Sequence, residues 1–164
     1  MISNVLDTAS APRASERPQF FARSASVMAV IVLLSFPVTY YLPVATGSGK
    51  FDTLHHWHAL AFFAWFGLYV WQTRLVAGGH VARHREIGLA GFALTGVMIP
   101  LGVWMAQRAA QRRSGTMDHP YEFTWFNLVD ITLFAVLMIA AIVLVTRQKE
   151  WHRRFVFVAA LCLV

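Results

Sequence analysis

The length of its uncharged runs most constrains what this chain can fold into. No charged residue falls between Arg23 and Lys50 or between Glu86 and Arg108, and only Asp130 falls between Glu122 and Arg147. A helix needs about 20 predominantly apolar residues to cross the hydrocarbon core of a bilayer, and these runs are of that kind. The remaining charges gather between the runs, as they do in multi-pass membrane proteins. Charged residues make up 13% of the chain and hydrophobic ones 57%, whereas a soluble domain is roughly a quarter charged. The net charge of +6 therefore reads as topology signals and contacts with anionic lipid, not as a nucleic-acid surface.

The pattern predicts an all-α integral membrane helical bundle with about five transmembrane helices. Residues 1–23 read as a cytoplasmic flexible or interfacial arm and residues 24–164 as the transmembrane domain. The spans are expected over about 24–45, 53–73, 86–106, 121–145 and from 151 to 164 onward. The last is short for a span, so the natural chain is expected to continue past Val164. The first is too long for the apolar core of a secretory signal. Pro37 and Pro43 should kink or shorten its outer half, and Pro120 suits the first turn of the fourth span. Ten Lys and Arg residues fall on one side of this arrangement and four on the other, which puts the N-terminus in the cytoplasm. The four include a cluster, Arg108, Arg112 and Arg113, that works against the assignment.

Cys162 is the single cysteine. It excludes a disulfide framework and covalent haem attachment through two cysteines, and reads as a small apolar helix residue.

Histidine clusters in TLHHWHALAFF, Thr53 to Phe63. Steps of three and four place His55, His58, Phe62, Trp65, Tyr69 and Gln72 on one helix face. In a bilayer that polar stripe should turn toward other helices. A b-type haem would need two facing imidazoles. The pairs available are His58 with His119 at the outer face and His84 with His152 at the inner face. No single span carries two widely separated histidines, which weighs against a two-haem cytochrome. A metal site would draw on His55, His58, Asp118 and His119, with Asp52 and Glu122 nearby. The plainer alternative for these residues is an interfacial belt, shared with Tyr40, Tyr41, Trp57 and Tyr121.

Asp130 lies about 13 Å into the fourth span at the standard helical rise, with Asn127 one turn earlier. An acid at this depth marks function or forms an interhelical hydrogen bond. The expected intramembrane polar site groups Asp130 and Asn127 with Gln72 and Tyr69, and Thr95 is a further partner. In the third span Gly88, Gly91, Gly96 and Gly102 would let a neighbour approach closely. His84-Arg85 and His152-Arg153 open the third and fifth spans in the same way. This suggests an internal repeat of spans two and three against four and five.

Trp65, Gln72, Leu75, Val76, His84, Arg85 and Gly88 form one pattern. Asp130, Phe134, Leu137 and Trp151 to Phe155 form another. Together they resemble a group of uncharacterised bacterial multi-pass membrane proteins. The resemblance runs from Thr53 to the C-terminus, implies a bacterial inner-membrane protein, and carries no activity with it. The leading expectation is an accessory or structural subunit within a larger membrane complex, with no chemistry of its own. The partners would be lipid and other membrane subunits. The alternatives are haem b electron transfer and a small transporter or channel using Asp130.

Overall fold

The structure is a computed structural model that describes residues 16–49, 51–115, 119 and 121–164. It is all-α, with no strand among the described residues. Helix α1 spans Glu16–Ser35 and leads through a π-helical turn, Pro37–Tyr41, into the short α2, Leu42–Thr46. Helices α3 (Thr53–Ala77), α4 (Val81–Arg113), α5 (Glu122–Leu144) and α6 (Lys149–Leu161) follow.

Proline explains the break in the first segment. Pro37 has no N–H to give the preceding turn. The chain widens into a π turn around the Phe36 carbonyl instead, which accepts from both Tyr40 N (2.9 Å) and Tyr41 N (3.1 Å). The Ser35 hydroxyl donates back to the Ile31 carbonyl at 2.8 Å, so a carbonyl near the break stays satisfied in a region without water. Gly47, at φ 67°, ends α2 in the left-handed conformation.

The short turn between α3 and α4 makes them antiparallel neighbours. His80 N bonds back to the Leu75 carbonyl at 2.8 Å and Gly78 N to the Arg74 carbonyl at 2.9 Å, with Gly79 at φ 79°. Helices α1, α3, α4, α5 and α6 then pack in sequence, and α6 returns to α1. Phe157 closes that ring, meeting Phe21 edge-on at 5.5 Å, while the Arg153 guanidinium lies 4.8 Å from the Phe21 ring centroid.

Helix α3 is the most interior element. Trp65, Phe66 and Tyr69 are buried on it, against Met98 of α4 and Phe134 and Met138 of α5. Thr95 is the one buried polar residue among those described. Its hydroxyl accepts from Trp65 Nε1 at 3.0 Å and donates to the Gly91 carbonyl at 2.9 Å. The outward surfaces are the reverse of a soluble protein's. Leu34 is 71% exposed, Leu89 73% and Val143 67%, which is the surface a bilayer covers.

Among the described residues, three segments are long and apolar enough to cross a membrane: Pro18–Thr46, Val81–Arg113 and Glu122–Leu144. The all-α bundle is as expected, and these three segments are the ones that meet the length and hydropathy of a crossing among the described residues. Helix α3 has the length, but its histidines, glutamine and tryptophans dilute its hydropathy. Helix α6 has 13 residues. Helix already begins at Glu16, within the expected arm, and α4 runs a turn or more beyond both expected ends. Its added turns hold Arg, Ala and Gln, all good helix formers. Pro120 lies outside the described residues.

Among the described residues, Trp65–Thr95 is the one buried side-chain hydrogen bond between α3 and α4. Thr95→Val keeps the shape, removes the acceptor and strands the indole N–H. It should lower stability by about 0.5–2 kcal/mol, read as a shift in the midpoint of SDS unfolding. An unchanged midpoint would mean the bond does not hold the core together.

Candidate functional site

The polar seam of α3 faces inward and meets two cavities stacked along the bundle. A layer of large side chains separates them: Trp65 meets Phe134 edge-on at 5.3 Å and stacks on Tyr69 at 5.5 Å and 20°.

The outer cavity, about 320 Å³, is lined by His58, Met98, Gly102, Asn127, Asp130 and Cys162 among others. His58 stacks on Phe62 at 6.2 Å. A Cβ on Gly102 would come within 3.1 Å of Ile131 Cδ1, so glycine allows α4 and α5 their close approach here. Asn127 and Asp130 are exposed at the cavity mouth.

The inner cavity, about 250 Å³, lies between α3, α4, α5 and α6 and brings together Tyr69, Gln72, His84 and His152. Most of its wall is apolar, from Trp65, Leu68, Phe92 and Val156 among others. The polar atoms at its edge are unusual. Tyr69 Oη, both amide atoms of Gln72 and Nδ1 of His84 are buried without a hydrogen-bond partner. His152 is held differently: its Nδ1 donates to the Ala141 carbonyl at 2.8 Å. That fixes the tautomer and leaves the Nε2 lone pair free. The His84 ring is turned toward the backbone of Gln72 without forming a hydrogen bond to it. In both hairpins, then, a histidine near the start of the second helix turns back to a carbonyl of the first.

This arrangement regroups the residues singled out from sequence. His84 and His152 do share one cavity. His58 and His119 do not, because His119 is exposed and lines neither cavity. The expected polar site is split by the aromatic layer. Asp130 and Asn127 belong to the outer cavity, while Gln72 and Tyr69 belong to the inner one, and Asp130 is exposed where burial was expected. Thr95 bonds Trp65, not Asp130. Of the metal set, Asp118 lies outside the described residues and Glu122 is exposed. Among the described residues no three His, Cys, Asp or Glu side chains come together as a metal could use.

His55 has a structural task. Asp52 caps α3, its carboxylate accepting from His55 N at 3.3 Å. His55 Nε2 accepts from Arg112 at 3.0 Å, so Nδ1 carries the proton and donates to Asp52 Oδ1 at 2.6 Å. Arg112 also reaches Asp52 Oδ2 at 3.2 Å, with Arg108 at 3.6 Å. Sequence reasoning missed this network. Its one visible trace was the four-residue spacing of Arg108 and Arg112, which puts both on one face of α4. Cys162 was also passed over, since nothing in an apolar helix end signals that it lines a cavity.

No protein-family model, curated protein or solved structure matches the chain. Function therefore rests on the geometry.

The Asp52 network carries a pH dependence. The hydrogen bond from His55, chiefly, and the nearby charge of Arg108 hold the Asp52 carboxyl below its ordinary value of 3.8. A depressed value in the folded state means stabilisation that is present above the unfolded value and lost as pH falls through the folded one. Wild type should melt above Asp52→Asn at pH well above 3.8, with the two converging as pH falls through the lower, folded-state value. A gap that persists in acid would show that Asp52 acts through its cap geometry alone.

Proposed function

We propose that this chain is a multi-pass subunit of the bacterial inner (plasma) membrane, with its N-terminus in the cytoplasm. It packs within a larger membrane assembly through the α5 face that bears Asn127 and Asp130, and carries no chemistry of its own. The observation that carries the reading is the exposure of Asp130. It lies eight residues past Glu122, the first residue of α5, so roughly 12 Å into the helix at the standard rise. A carboxylate facing lipid at such depth is disfavoured by about 2.5–3.5 kcal/mol even on the mildest scale. Asn127, one turn away, adds a second exposed polar group to the same face. A neighbouring chain that pairs with both would remove that cost. Phe123, Phe126 and Leu133, exposed at steps of three or four from them on the same face, offer the apolar and aromatic area such a contact uses.

The orientation fits the same picture. Arg108 and Arg112, which run against the positive-inside count, are paired with Asp52. The excess of Lys and Arg on the opposite side still outweighs them, ten to four, and sets the topology.

A photo-crosslinker at Asn127 should give a discrete higher-mass adduct in native membranes, and one at Leu89 on the lipid-facing side of α4 should not. Asp130→Leu should keep the helical spectrum and the monomer's melting profile while lowering the adduct yield about tenfold. A protein that runs as a monomer in mild detergent and gives no adduct from Asn127 would sink the proposal.

A further inference from the structure

We infer that the inner cavity is a binding site for a membrane-soluble molecule with one substituted ring bearing two oxygen functions, the quinone or quinol class. Tyr69, Gln72 and His84 would be its hydrogen-bonding residues. The inference stands apart from the assembly role proposed above, and concerns the opposite end of the bundle from Asp130.

Three observations converge. The first is the set of unpartnered atoms. Tyr69 Oη, Gln72 Nε2 and Oε1, and His84 Nδ1 are all buried without a partner, and all three residues line one cavity. Each unmet buried group costs about 1–3 kcal/mol, and a ligand in the cavity toward which these side chains turn would recover that cost. They offer both kinds of partner: O–H and N–H donors suit a ring carbonyl, while Oε1 and an imidazole lone pair suit a ring hydroxyl. A lipid tail would satisfy none of them, and a free ion would face a wall that is otherwise apolar.

The second is size. A cavity of about 150 Å³ holds benzene. The inner cavity, about 250 Å³, suits one substituted ring. It is too small for a tetrapyrrole, although His84 and His152 both reach it.

The third is access. Leu89 lines the cavity and is 73% exposed, so the cavity opens sideways on α4, to the surface a bilayer covers. Gly88 forms part of the wall, and a Cβ there would meet nothing within 4 Å. The space beside the α4 backbone is open.

Gly88 supplies the test. Gly88→Leu should fill the cavity without a clash and with no loss of helix propensity. Gly96→Leu places the same change in the same helix, where a Cβ also meets nothing within 4 Å and neither cavity is lined by the residue. Purified protein in detergent is titrated with decylubiquinone, read by quenching of tryptophan fluorescence, because Trp65 lines the cavity. Wild type and Gly96→Leu should show saturable quenching at matched concentrations. Gly88→Leu should abolish it. Gln72→Leu, which keeps the volume and removes the amide, should weaken it roughly tenfold, and serves as the test if Gly88→Leu does not fold. Unsaturable quenching, or equal quenching in wild type and both cavity variants, overturns the inference. So does a Soret band in the protein as purified that disappears in His84→Ala, since a haem would then own the site.

Discussion

The absence of water from the hydrocarbon core governs this structure. A polar side chain there must find its partner within the protein, so the bundle turns its hydrogen-bonding residues inward and its leucines and valines outward. Helix α3 shows the consequence most directly. It carries the polar seam and has become the central helix, with Trp65 and Tyr69 buried. The Trp65–Thr95 bond at 3.0 Å ties that seam to α4 at mid-bundle. The aromatic layer around it divides the interior into an outer and an inner cavity, and the two ends of the molecule differ chemically because of that division.

The two helical hairpins repeat one device. His152 donates to the Ala141 carbonyl, and the His84 ring lies against the Gln72 carbonyl. Both histidines stand near the start of a second helix and turn toward the body of the first, within a hairpin whose arms already pack closely. The outcome differs between them. His152 has its Nδ1 satisfied, while His84 keeps a buried nitrogen without a partner beside Gln72 and Tyr69. The same local motif serves packing in one hairpin and leaves hydrogen-bonding capacity facing a cavity in the other.

At the outer end, electrostatics organises the helix termini. Asp52 caps α3 and gathers His55, Arg108 and Arg112, joining the start of α3 to the last turns of α4. The groups are partly exposed and each contact is weak. Their value is positional: they hold the ends of two long helices together where the lipid headgroups would begin. His55, which looked like a ligand, is absorbed by this task, because both its ring nitrogens already have partners.

The sequence by itself determined the fold class, the inward turn of the α3 stripe and the disruption at Pro37. Each of these follows from local spacing or from the cost of a polar group in hydrocarbon, and both can be read one segment at a time. Only the tertiary structure decided which polar residues meet. Asp130 and Gln72 each looked like a partner for the other, yet Trp65 and Phe134 stand between their cavities. His84 and His152, far apart in the chain, line the same one. Such groupings depend on how helices rotate and slide when large side chains interlock, and the periodicity of one helix contains no information about its neighbour's register.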